Sequence, residues 1–172
     1  VIRALIAAST ALALAACAGG PEPKSAAAAH PEAKSYAVSP DAMGDVDAAL
    51  ARAGANGTRV LLVMGGNWCH DSRALAGWLE TPRFTALVAD KYELVFVNVG
   101  LPQTGDGHNL AVPRRFGLAE MAGTPALLVL TAEGQAVNLD TAANWRNAAS
   151  RSEDAIFAEL TALAEAPSPI AP

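Results

Sequence analysis

From Ser39 onward the apolar positions follow helical spacing: Met43, Val46, Leu50 and Ala53 fall three or four residues apart, on one face of a helix. Ser39 followed by Pro40 reads as an N-cap with proline at the first helical position, and Gly54 as the stop. The period then changes. Arg59 to Met64, RVLLVM, is a short run of β-type residues between an Ala-Asn-Gly turn and Gly65-Gly66, and it predicts a buried strand. Leu75, Trp78 and Leu79 restore the helical period, and Phe84, Leu87 and Val88 restart it after Thr81-Pro82. The helix is therefore expected to break near Pro82. Leu94 to Val99, LVFVNV, predicts a second buried strand.

Helix, strand, helix, strand favours parallel strands joined by a crossover helix. Residues 100–123 interrupt that order with Gly100, Pro102, Gly105, Gly107 and Pro113, leaving room for a short helix around Arg114 to Met121. Pro125 opens PALLVL, a third strand, and a Glu133-Gly134 turn leads into Gln135 to Asn138, expected to pair with it as a fourth. Ser150 and Glu153 match a capping box, with Ile156, Phe157, Leu160 and Leu163 lining a last helix.

The first forty residues obey neither period. Arg3 precedes an uncharged run from Ala4 to Ala16, shorter than the roughly 20 residues a spanning helix needs and matching the apolar core of an export signal. Leu14-Ala15-Ala16-Cys17 resembles a bacterial lipobox, which implies lipidation of Cys17 as the mature N-terminus; the alternative is cleavage after Ala16-Cys17-Ala18. Ala18 rather than Asp after Cys17 resembles lipoproteins sorted to the outer membrane, so the expected location is the periplasm of a Gram-negative bacterium, on a membrane anchor. Residues 18–38 are rich in Ala, Pro, Gly and Ser, a composition that suits a flexible linker in which His30 is solvated. The expected organisation is a signal over 1–16, a linker over 17–38, a domain over 39–165 and a disordered tail over 166–172.

Composition narrows the function. With 172 residues, 52% hydrophobic and 17% charged, the chain fits one globular domain. A net charge of −5 lacks the basic footprint of a nucleic-acid binder. Of the two cysteines, either processing route removes Cys17 from pairing. Cys69 is then the single thiol of an exported protein, which calls for an explanation.

That thiol lies in NWCHDS, directly after the first strand, and GTPALLVL opens a later one. Together and in this order, over residues 41–165, these motifs resemble the thioredoxin family. The resemblance implies an α/β, thioredoxin-like fold, with a central mixed sheet flanked by helices. It makes Cys69 the nucleophile at a helix N-terminus, where the dipole stabilises a thiolate. His70, if protonated, would help ionisation and Asp71 would oppose it. Trp68 matches the tryptophan at the active-site surface, with a packed aromatic as the alternative. Thr124-Pro125 matches the cis-proline loop that faces the nucleophile and pairs with an extended substrate; otherwise it is a proline tolerated at a strand's first residue.

Two positions depart from the family pattern. Ser72 stands where the second, resolving cysteine is found, and Val63 replaces the buried acid that helps that cysteine ionise. Cys69 alone forms a mixed disulfide that an outside thiol must resolve. Ser72 either donates a hydrogen bond to the thiolate or is an ordinary helix-turn hydroxyl.

The expected function is monothiol thiol–disulfide exchange with exported protein thiols or disulfides, or with small thiols, catalysed by Cys69 with Ser72 and with Trp68, Thr124 and Pro125 binding substrate. The rival reading is a membrane-anchored, catalytically inactive thioredoxin-like peptide-binding module. A peroxiredoxin-type site is disfavoured because Gly66 stands where its threonine would be. Cys69, His70, Asp71 and His108 lack zinc-ligand spacing, so neither metal nor cofactor is expected.

Overall fold

The computed structural model describes residues 30–169. The expected signal, the expected lipidation site Cys17 and most of the expected linker lie outside them. Strand β1 (Arg59–Gly65) is the centre of a three-stranded sheet. Strand β2 (Tyr92–Asn98) runs parallel to it, with Leu61 opposite Leu94, and β5 (Ala126–Leu130) antiparallel, with Leu62 opposite Leu128. The sheet is therefore mixed.

Strand β1 is buried from Val60 to Gly65 because both its faces carry apolar side chains. Val60, Leu62 and Met64 pack with Val46, Ala49 and Ala53 of helix α1 (Ala42–Asn56). On the other face, Leu61 and Val63 join Leu75 and Leu79 of α2 (His70–Leu79), Phe84 of α3 (Pro82–Lys91), and Ile156 and Leu160 of α5 (Glu153–Glu165). The short Ala49 and Ala53 side chains let α1 lie close on the sheet. Among the described residues, no helix is long and apolar enough to cross a membrane.

The break at Pro82 is where the spacing predicts it, with Pro82 in the first turn of α3. Other boundaries shift. The N-cap of α1 is Asp41, whose Oδ1 accepts from the Gly44 amide at 2.8 Å, while Ser39 Oγ accepts from the Asp41 amide. Its stop is Gly57, left-handed at φ 68°, rather than Gly54. The cap of α5 is Ser152, not Ser150. A 3-10 helix over Ala142–Ser150, bent at Asn147, was not foreseen; it buries Trp145 against the second core.

Between β2 and β5, Gly100–Leu101 (β3) and Asp106–Gly107 (β4) form a small hairpin around a 3-10 turn. Helix α4 (Ala111–Arg115) lies earlier than expected and stops before Gly117, which is left-handed at φ 89°. The expected fourth strand is reduced to one bridge, Leu130 to Ala136. Its remaining work is done by a side chain: Asn138 Oδ1 accepts from the Val129 amide at 2.8 Å and Nδ2 donates to Leu127 O at 3.0 Å.

The largest correction concerns the linker. Its last nine residues are not a free tether but a strap laid across the start of α2. Tyr36 is 1% exposed and sits in the second core beside Leu61, Val63 and Leu75. The Ala33 amide donates to Arg73 O at 3.0 Å, and Tyr36 exchanges two bonds with the Asn67 side chain, each 3.1 Å. At the other end, Ala166 of the expected disordered tail is also held, its carbonyl accepting from Arg59.

Replacing Tyr36 with alanine removes a fully buried aromatic ring, so Tyr36→Ala is expected to cost about 3–5 kcal/mol. Urea unfolding measures it. A loss below about 1 kcal/mol would mean that the strap does not belong to the folded core.

Candidate functional site

The site forms where β1 ends. Gly65 and Gly66 are there for space: a Cβ on Gly65 would lie 2.5 Å from Ser72 Oγ and 2.9 Å from Tyr36 Cε1, and one on Gly66 would lie 2.5 Å from Trp68 Nε1. The chain then turns, the Cys69 amide donating to Gly66 O at 3.0 Å, and Cys69 becomes the N-cap of α2. It is the free cysteine of the described residues, and it is partly exposed. Partial exposure matters because a thiol buried in apolar surroundings is inert.

Its Sγ–H donates to the carbonyl of Thr124 at 3.3 Å. The Thr124-Pro125 bond is cis. Two segments 55 residues apart in sequence thus meet at the sulfur. Trp68, 49% exposed, lies beside it, with Nε1 donating to Gly100 O of β3 at 2.9 Å. The small hairpin therefore fixes the indole, a part no sequence signal assigned to it.

Ser72 is fully buried. Its Oγ has the Gly66 amide as partner at 3.5 Å, and its carbonyl accepts from Tyr36 Oη at 3.3 Å. Among the described residues, no hydrogen bond joins Ser72 to Cys69, so the suggested bond to the thiolate is not formed. Burial, partly offset by the bond to Ser72, pushes the Tyr36 phenol up, and it stays neutral. Val63 lies fully buried in the same core.

The charged neighbours point away from the sulfur. Asp71 Oδ1 accepts from the Ala149 amide at 2.9 Å, binding α2 to the 3-10 helix. His70 Nδ1 pairs with Glu32 at 3.0 Å. Arg73 Nε bonds Glu32 at 2.9 Å, while Nη1 reaches the carbonyls of Asn67 and Trp68 and fixes the loop before Cys69. The Arg73 hydrogen bond, with further help from its charge and from His70 and His30, holds the Glu32 carboxyl below the usual range. His108 Nε2 lies 3.1 Å from Asn98 Oδ1 on the hairpin side. Cys69, His70, Asp71 and His108 thus engage separate partners, and they do not form a metal cluster. His30 is not simply solvated: its Nε2 lies 3.2 Å from His70 Nε2. One signal could have revealed the strap, namely Tyr36, a bulky aromatic in a stretch otherwise short of bulk.

A thiol at a helix start, facing a cis-proline loop across a mixed sheet, agrees with the comparisons to known proteins. A family model described as thioredoxin-like matches residues 41–132. The chain belongs to the thioredoxin-like family. This thioredoxin-like protein is also similar to the crystal structure of a disulphide isomerase from Xylella fastidiosa Temecula1, at 31% identity and a TM-score of 0.67. The match covers 75% of this chain and 95% of that one. No curated protein matches.

The Asp71 contact gives a direct test of how α2 is held. Asp71→Ala leaves the Ala149 amide without its charged acceptor and is expected to cost about 1.5–3 kcal/mol. Asp71→Asn keeps an acceptor oxygen and should cost less. Equal losses in urea unfolding would remove the hydrogen bond as the cause.

Proposed function

We propose that this thioredoxin-like protein carries out monothiol thiol–disulfide exchange in the cell envelope. The observation that carries the reading is the partly exposed Cys69, its Sγ 3.3 Å from the carbonyl that precedes cis-Pro125. The Cys69 thiolate attacks one sulfur of a substrate disulfide; a new S–S bond forms, and the other sulfur leaves as a thiolate that takes up a proton. An external thiol then attacks the mixed disulfide and returns Cys69 to its thiol. The substrate is a disulfide or thiol of an exported protein, or a small-thiol adduct, and the likeness to a disulphide isomerase supports the protein class.

Thr124 couples binding to chemistry. Its carbonyl accepts from the thiol in the free protein, and it is also the acceptor that the amide of an extended peptide would use. Peptide docking therefore releases the sulfur from its partner. Trp68 offers an exposed apolar face next to it. Pro125 shapes the loop, and Ser72 holds the turn beneath rather than the sulfur itself. Trp68's exposure also suits the rival, a peptide-binding module in which Cys69 does no exchange.

Wild type should accumulate long-lived adducts with a mixed-disulfide probe, and Cys69→Ala none. Ser72→Cys should resolve the adduct internally, shorten its lifetime several-fold and gain modest insulin reductase activity. Val63→Asp added to it should raise the rate further, at a stability cost from the buried carboxylate. A wild-type Cys69 no more reactive than a free thiol, with every assay unchanged in Cys69→Ala, would leave the peptide-binding module.

For location we propose a lipid anchor on Cys17 at the outer membrane, supported by Leu14-Ala15-Ala16-Cys17 after an apolar run. The intact mass of the envelope protein should correspond to an acylated chain beginning at Cys17. An unmodified chain beginning at Gly19 would overturn the anchor and leave the exchange reading standing.

A further inference from the structure

The two histidines beside the thiol meet in a way that hydrogen bonding leaves incomplete. His70 Nδ1 faces a carboxylate oxygen of Glu32 at 3.0 Å, and His30 Nδ1 faces the Pro31 carbonyl at 3.3 Å. Both partners are acceptors, so each Nδ1 carries the proton and donates it. In neutral rings the proton is then absent from Nε2. The two Nε2 atoms nonetheless lie 3.2 Å apart, with the ring centroids 4.7 Å apart and the rings inclined at 64° rather than stacked. Two lone pairs at that distance repel, and either a shared proton or a metal cation between them relieves the repulsion.

The separation also suits a metal ion. Tetrahedral zinc with Zn–N bonds of about 2.0–2.1 Å sets its ligand nitrogens roughly 3.3 Å apart. Ligating histidines commonly donate their other ring N–H to a carboxylate or a backbone carbonyl, which fixes the tautomer and the ring. Glu32 and Pro31 stand in those two places. The Glu32 carboxylate, whose oxygen lies within 4.8 Å of the ring nitrogens, supplies negative charge. Arg73 holds it from the far side.

We propose that His30 and His70 bind one divalent zinc-type ion through their Nε2 atoms, with Glu32 and the Pro31 carbonyl as orienting partners. Two protein ligands leave coordination positions open to water. One ligand comes from the strap and the other from the first turn of α2, so the ion clasps the strap to the helix that Cys69 caps. Sequence spacing gave no hint of this, because the ligands are 40 residues apart.

The test is calorimetric titration of the mature chain with Zn²⁺ alone, in a Cys69→Ala background so that thiol binding does not contribute. One ion per chain is expected. His30→Ala and His70→Ala should each weaken binding at least about tenfold and Glu32→Gln about 10–100-fold, whereas His108→Ala should leave it unchanged. Thermal unfolding without zinc checks that each variant is folded. Zinc should shift the ¹⁵N resonances of both Nε2 atoms and leave both Nδ1 atoms protonated. Absence of uptake, equal affinity in His30→Ala, or zinc bound at Nδ1 would overturn the proposal; the thiol-exchange assays stand or fall separately.

Discussion

The whole arrangement depends on the burial of β1 on both faces. A strand with apolar residues at successive positions buries all of them only where both faces of its sheet are covered. RVLLVM meets that condition at the centre of the sheet, with β2 on one side, β5 on the other and helices over both faces. Parallel pairing with β2 requires a crossover, which α2 and α3 supply. The end of a central strand is also where a crevice forms in such sheets. Cys69 lies four residues beyond that end, and the neighbouring β5 begins at Pro125's successor, so the sheet itself brings thiol and loop together.

The missing second sulfur leaves a coherent core rather than a defect. Where a resolving thiol and its acid would require polar surroundings, Val63 and Tyr36 fill the space under α2 with apolar volume. The groups that remain polar are satisfied by each other: Tyr36 Oη with the Ser72 carbonyl, and Ser72 Oγ with the Gly66 amide. The same strap that contributes Tyr36 contributes Glu32, whose bond to Arg73 steadies the loop leading to the sulfur. Packing and site geometry are thus joined through residues that look unremarkable in the chain.

Features with a strong local cause were legible in the sequence. The strand at Arg59–Gly65, the break at Pro82, the strand after Pro125 and the pairing of Cys69 with the Thr124-Pro125 loop rest on period, proline chemistry and family pattern. Boundaries were harder: Asp41 rather than Ser39 caps α1, and its stop is Gly57, in the left-handed conformation that closes a helix, rather than Gly54. The fourth strand was missed in form rather than in place, because an Asn138 side chain can stand in for backbone. Least legible were the strap and the His30–His70 contact. Composition describes what a segment can bury alone, whereas Tyr36 is buried in a core whose other members, from Leu61 to Leu160, lie far along the chain.

Because the strap is docked from His30 onward, the part of the expected linker that could act as a tether is shorter than its composition implies. Only thirteen Cα–Cα steps separate Cys17 from His30, a leash of at most roughly 45 Å when fully drawn out. It enters the domain beside His70, the residue next to the sulfur, rather than on the opposite side. Under the proposed anchor, Cys69 would sweep a shallow zone close to the membrane surface. Its working partners would then be selected by how near they come to that surface as much as by the chemistry of their thiols.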